Sequence, residues 1–229
     1  MKLLIIRPQP GNDASARRAR DAGFDPIQLP FFEVRPRVWK ASDPAQFDAL
    51  LITSANAVRH AGAGLSAYQG LPVHSVGQNT ADAVAATGLT LASVGQHGVK
   101  EALRAANTAG HRRLLWLAGE DQTDFDAPPG MQLETQITYS SEPVELPVDT
   151  ADIIAGVDIV VLHSARAARR FAAFVDSSRL SREDITVAAF SNAIAETAGA
   201  GWRGIAIAER PDDQALLSAA HALVKQSQQ

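Results

Sequence analysis

Short, largely apolar runs alternate along this chain with longer, Ala-rich stretches. The runs at 3–6, 49–52, 73–76, 114–117, 159–162, 187–190 and 205–208 are too short for helices and are not alternating, the pattern of strands buried on both faces. Between them lie 14–22, 55–61, 80–86, 99–106, 165–174 and 214–225. Several of these bring an apolar residue round every three or four positions, as an amphipathic helix does. Strand and helix in turn predict β-α-β units and a parallel sheet.

The pattern repeats itself. Phe47-Asp48-Ala49-Leu50-Leu51-Ile52-Thr53-Ser54-Ala55-Asn56-Ala57-Val58-Arg59 aligns with Val157-Asp158-Ile159-Val160-Val161-Leu162-His163-Ser164-Ala165-Arg166-Ala167-Ala168-Arg169, and Asp, Ser, Ala, Ala and Arg recur in register. Residues 73–88 parallel 187–201, and a weaker pair joins 2–7 and 23–31 to 113–118 and 130–139. The order is short unit, long unit, short unit, long unit. The first short unit can pair with either long one. Two Pro-containing stretches, 30–44 and 140–147, read as crossing linkers. On that reading the fold is α/β, with two similar parallel-sheet domains of Rossmann- or flavodoxin-like type joined by a two-stranded linker. One domain is discontinuous, 1–33 plus 148–229; the other, 45–139, is inserted; the linkers are 34–44 and 140–147. The competing reading is one continuous doubly wound sheet.

Composition narrows the function classes. A hydrophobic fraction of 46% with 20% charged residues is ordinary globular usage. A net charge of -4 speaks against nucleic acid as a partner. With no cysteine, disulfides, thiolate nucleophiles and Cys-based zinc sites are excluded. The histidines show no zinc-ligand spacing, so no metal is expected. The first apolar run is too short for a signal peptide, and no run reaches the ~20 residues of a membrane helix. A soluble, cytoplasmic protein without membrane contact is expected. Arginine dominates the cations, since only Lys2, Lys40, Lys100 and Lys225 are lysines. That suits carboxylate ligands, and it equally suits GC-rich codon usage.

Candidate chemistry lies where strands end and helices begin, because ligands of parallel sheets bind beyond the carboxyl ends of the strands. Thr53-Ser54-Ala55-Asn56 and His163-Ser164-Ala165-Arg166 occupy such ends, as do Ser75-Val76-Gly77-Gln78-Asn79-Thr80 and Phe190-Ser191-Asn192. A serine there can be a plain N-cap; the same helix end also attracts anions. Arg7, after the first strand, points either into a cleft or onto a backbone carbonyl. His163 alone reads as a cap or a solvated residue rather than a catalyst. No dinucleotide glycine pattern, P-loop or nucleophile elbow is present, although a Ser-His-Asp triad stays open.

Taken together, Arg7-Pro8, Leu51-Ile52-Thr53-Ser54-Ala55-Asn56-Ala57-Val58, Ser75-Val76-Gly77-Gln78-Asn79-Thr80-Ala81, Tyr139, His163-Ser164, Phe190-Ser191-Asn192, Gly201-Trp202 and Leu216-Leu217 resemble the uroporphyrinogen-III synthase family over almost the whole chain. The resemblance implies two α/β domains with the active site in the cleft between them. It implies a lyase that uses neither metal nor organic cofactor. The implied substrate is hydroxymethylbilane, a linear tetrapyrrole with eight carboxylates. Its instability makes a transient handover from hydroxymethylbilane synthase the expected partnership, and, as no long exposed apolar helix demands a partner, a monomer is expected. It makes Tyr139 the candidate general acid. Arg7, Thr53, Ser54, Asn56, Gly77, Thr80, Ser164, Arg166 and Ser191 become candidates for holding the substrate. Two segments depart from the family. After the strand at 114–117, family members commonly carry arginines, and this chain has Ala118-Gly119-Glu120-Asp121-Gln122-Thr123-Asp124. Ala193-Ile194 stands where many members have threonines. The alternative function is an inactive or divergent member acting as a two-lobed ligand-binding or regulatory module.

Overall fold

The computed structural model describes residues 1–122 and 125–226. Its strands are β1 (Lys2–Ile5), β2 (Asp25–Gln28), β3 (Phe32–Pro36), β4 (Ala49–Ile52), β5 (Pro72–Val76), β6 (Thr90–Gly95), β7 (Arg113–Gly119), β8 (Gln132–Pro143), β9 (Ile159–Leu162), β10 (Thr186–Ala189) and β11 (Gly204–Ile207). Its α-helices are α1 (Gly11–Asp21), α2 (Ala55–His60), α3 (Gln78–Ala85), α4 (Val99–Thr108), α5 (Thr150–Ala155), α6 (Ala165–Ser177), α7 (Asn192–Ala198) and α8 (Asp213–Gln226). The chain divides into two compact units, Met1–Glu33 with Pro143–Gln229, and Val34–Glu142.

In the first unit the strand order is β11-β10-β9-β1-β2, with every neighbouring pair parallel. The first short unit of the repeat has therefore joined the second long one. Both faces of the sheet are covered, which is why its strands are apolar without alternation. Leu4, Val160, Leu162, Val187 and Ala189 face α5, α6 and α7 through Ile154, Phe171, Val175 and Ala198. Leu3, Ile5, Ile159, Val161 and Ala188 face α1 and α8 through Ala16, Ala19, Leu216 and Ala220.

The second unit holds the sheet β3-β8-β7-β4-β5-β6, parallel from β8 to β6. Leu50, Ile52, Leu115 and Leu117 pack towards α2 and α3, against Ala57, Val58 and Val84. Ala49, Leu51, Leu114 and Trp116 pack towards Ala102, Leu103 and Ala106 of α4. Read as β6-β5-β4-β7-β8, this order matches that of the first sheet, with β3 added. The two-strand piece comes first in one unit and last in the other, so the units are circular permutations of one plan. The stretches read as linkers are partly strand, because β3 and β8 take up residues on both sides of the expected boundaries.

The repeated aspartate has a structural job. Asp48 accepts the backbone N–H groups of Arg112 and Arg113, each at 2.9 Å, together with Arg113 Nη2 at 2.7 Å. These bonds hold its carboxyl well below the usual carboxylate range. Asp158 accepts the N–H of Lys2 at 2.7 Å. Each aspartate thus pins the start of the strand beside its own, and β4–β7 and β1–β9 are the equivalent central pairs.

Candidate active site

Strand order reverses direction of travel beside β1 and β9 in the first unit and beside β7 and β4 in the second. At such switch points the carboxyl edge of a sheet opens a crevice. The candidate residues fall at these two edges.

At the first edge, Arg7 follows β1. Its backbone is held by Asn12, whose Nδ2 donates to Ile5 O at 3.0 Å and to Arg7 O at 2.8 Å. Arg7 Nη1 donates to Ser15 Oγ at 3.1 Å and lies 3.8 Å from Asp213 Oδ1. The choice left open for Arg7 falls to the side chain of α1 and a carboxylate rather than to a carbonyl. Ser15 Oγ donates to Asp213 at 3.0–3.1 Å, and Arg18 Nη1 reaches the same carboxylate at 2.6 Å. His163 Nε2 lies 3.0 Å from Asp213 Oδ1.

His163 is no solvated cap. Its side chain is 4% exposed and its ring stands edge-on to Phe190 at 4.5 Å. Burial pushes its pKa down against the upward pull of Asp213, and Nε2–H donates to the carboxylate. Asp213 is 8% exposed. Burial raises its pKa, but the bond from His163, the charges of His163 and Arg7 and the bond from Ser15 outweigh this and hold it down at about 2. Ser15 and Asp213 both meet His163 through Nε2. A hydrolytic relay needs both ring nitrogens, so this cluster is not a Ser-His-Asp triad.

Ser164 caps α6, accepting Ala167 N–H at 3.2 Å. Arg166 lies with its guanidinium over the ring of Phe32 at 4.7 Å. Ser191 is the N-cap of α7 but makes no side-chain cap bond, so its hydroxyl is not committed to the helix. Ile194, in a departing segment, packs against the core.

At the second edge, Thr53 Oγ1 accepts the indole N–H of Trp116 at 3.1 Å. Ser54 caps α2 through Asn56 N–H at 3.2 Å, and Asn56 Oδ1 accepts from Arg59 at 3.2 Å. Gly77 has φ 76° and ψ 150°, in the region of positive φ that glycine adopts without strain. This lets α3 start directly after β5. Thr80, one turn in, is 4% exposed and turned towards the protein interior.

Tyr139 sits at the same edge because of a bulge. Register slips so that Ala118 faces Ile137 and Gly119 faces Tyr139, leaving Thr138 as the extra residue. Ile137 consequently packs towards α4 and Tyr139 towards α2, although two residues apart on a regular strand would share a face. The phenol lies over Gly119, and its ring is 6.3 Å from that of His60. Glu120 of the departing segment is countered by Arg37, 2.7 Å away; Thr123 and Asp124 lie outside the described residues.

Sequence reasoning missed Ser15, Arg18 and Asp213. Asp213 is 198 residues from Ser15 and 50 from His163. The only signal was an aspartate opening the last amphipathic stretch, which reads as a helix start. Among the described residues no group of three or more His, Asp and Glu could hold a metal ion, and no helix is long and apolar enough to cross a membrane.

A model of the family described as "Uroporphyrinogen-III synthase HemD" matches residues 13–218. No curated protein matches the chain in sequence. Among solved structures, the chain is similar to a uroporphyrinogen-III synthetase from Helicobacter pylori. The two share 17% identity over 97% of this chain and 100% of that one, with a TM-score of 0.63. It is similar also to a mutant uroporphyrinogen III synthase from the extremely thermophilic bacterium Thermus thermophilus, at 16% identity over 98% and 99% of the chains and a TM-score of 0.56. At these identities the likeness shows the fold; the family rests on the family model.

Proposed function

The chain belongs to the uroporphyrinogen-III synthase family, and from that premise we propose that it is a lyase converting hydroxymethylbilane to uroporphyrinogen III. The match over residues 13–218 carries this reading. The candidate residues suit it chemically: helix starts, hydroxyls and arginine at the carboxyl edge of a sheet are apt for a ligand with many carboxylates.

In the reaction the terminal C–O bond of the bilane breaks, and the hydroxyl leaves as water with a proton from an acid. Tyr139 is that acid, since a phenol at a sheet edge can donate to a leaving oxygen. The resulting electrophilic methylene is attacked by the substituted α-carbon of the last ring, giving a spiro intermediate. That intermediate reopens by breaking the original bond between the same α-carbon and the methylene bridge to the third ring, and the last ring's free α-carbon then attacks the methylene so released. The proton lost as that ring regains aromaticity balances the one Tyr139 gave up. Unaided closure gives the uninverted isomer, so the protein's main task is to hold one conformation. Arg7, Ser54, Ser164 and Ser191 hold carboxylates, and Thr53, Asn56, Gly77, Thr80 and Arg166 shape the edges that carry them. The lability of the bilane favours a direct handover from hydroxymethylbilane synthase in the cytoplasm to a monomer of this protein.

A coupled assay tests the reading. Porphobilinogen and hydroxymethylbilane synthase generate the substrate, the protein is added, and the oxidised porphyrin isomers are separated by chromatography. Type III is expected to dominate. Type I alone, from protein shown to be folded, would overturn the lyase and leave a binding module.

A further inference from the structure

The cluster at the first sheet edge is costlier than a tie between helices requires. Two guanidinium groups, Arg7 and Arg18, share the single carboxylate of Asp213, and Arg18 takes the shorter contact, 2.6 Å against 3.8 Å. Burial works against a charge on His163, so the count is set by the two arginines and the one carboxylate. One positive charge is left over, and it rests on Arg7, whose side chain is 27% exposed whereas that of Arg18 is 55% exposed and solvated. Burial lowers the pKa of Arg7 more than Asp213 raises it. A half-buried cation short of counter-charge is stabilised by an incoming anion.

The group is also built to stay in place. Its backbone is clamped by Asn12, and its guanidinium lies against the α-carbon of Gly11, where a Cβ would come within 2.6 Å of Nε. Among the described residues, its side-chain hydrogen bond leaves from Nη1, so other N–H donors remain for a ligand. Ser15 links the parts: its one hydroxyl proton goes to Asp213 and its lone pair receives Arg7 Nη1. His163 supports the same carboxylate from the end of β9.

We propose that Asp213 is a positioning residue that, with Ser15 and His163, holds Arg7 as the receptor for one carboxylate of the substrate. This rests on the function proposed above and assigns its first sheet edge.

The test uses the full chain. KM and kcat for type III formation are measured for wild type, Arg7→Gln, Asp213→Asn, the double variant, Asp213→Glu and Ser15→Ala. Affinity for uroporphyrin III, an octacarboxylate, is measured in parallel by fluorescence at fixed salt. Arg7→Gln and Asp213→Asn should each raise KM and the porphyrin Kd about tenfold, the loss of one charge-assisted bond. kcat should stay within about threefold, as expected for lost binding rather than lost chemistry. The double variant should be no worse than Arg7→Gln alone, and Asp213→Glu should recover part of the loss. Unchanged KM and Kd in Asp213→Asn, or effects that add in full, would overturn the proposal. Should Asp213→Asn fail to fold, the Ser15→Ala and Arg7→Gln pair decides by the same additivity criterion. A wild type that makes no type III would sink the lyase, whereas the porphyrin-binding cycle would still decide the role of Asp213.

Discussion

Tyr139 lies across Gly119: a methyl group at position 119 would stand 2.5 Å from the ring carbon Cζ and 2.8 Å from the phenolic oxygen. The neighbour is the phenolic end of the side chain, so glycine at the end of β7 decides where that hydroxyl sits. Gly119→Ala should displace the phenol. Turnover is expected to fall about tenfold or more in this variant, and by about a hundredfold or more in Tyr139→Phe, the range for a lost general acid. Steady-state rates of type III formation check both. Near-normal turnover in Tyr139→Phe would move the proton donor to another group.

Ser164 and Ser191 are predicted to separate. Ser164 accepts an α6 N–H, so Ser164→Ala should cost about 1 kcal/mol of stability, the usual worth of a cap. Ser191 makes no such bond, and Ser191→Ala should leave the melting temperature unchanged while raising KM severalfold. Thermal melts and KM values for both variants are the check. A stable Ser191→Ala with wild-type KM would remove Ser191 from the site.

Asp48 and Asp158 are predicted to matter for stability and not for chemistry. Each fastens the start of a neighbouring central strand. Asp48→Asn and Asp158→Asn should each destabilise by about 1 kcal/mol, the modest value for partly solvated charge-assisted bonds. Urea midpoints should shift while KM holds. A shifted KM with an unshifted midpoint would contradict the clamp.

His74 should make the protein acid-sensitive well above the carboxylate range. It is 1% exposed and bonded to Ser93 Oγ at 2.7 Å and His111 Nδ1 at 2.9 Å. Burial first, and His111 second, push its pKa down from 6.5 to about 4. The unfolded chain therefore takes up the proton first. Stability is complete above about pH 6.5 and is lost as pH falls towards about 4, by on the order of 2–3 kcal/mol. Urea unfolding of wild type and His74→Gln across that window checks the slope, which should flatten in the variant.

Asp213 acts in a lower window. Its carboxyl is held down at about 2 from 3.8, so its contribution is present above about pH 4 and disappears as pH falls towards 2, on the order of 1–2 kcal/mol. Acid unfolding of wild type against Asp213→Asn should show the two curves converging below about pH 3, between those limits. Parallel curves throughout would mean that Asp213 is not ionised in the folded protein.

The sequence by itself determined the class of fold and the places where chemistry could sit. Runs such as 49–52 and 159–162 are apolar on both faces, because both faces of their sheets are covered. Such strands are visible in any window, and the recurring Asp and Ser around them marked a repeated unit before its partner was known. What lay beyond was decided by tertiary structure. The strands β2, β3, β6 and β8 carry no continuous apolar run, since they lie towards the sheet margins and are only partly buried, for example Thr90–Gly95. The face of Tyr139 depends on the extra residue at Thr138, which no periodicity announces. His163 read as solvated because its partner, Asp213, approaches only when α8 packs beside α1 over the first sheet. The pairing of side chains so far apart in the chain follows from the burial of helix faces. It cannot be read from spacing, because the energy that joins them belongs to the packed sheet and not to any local segment.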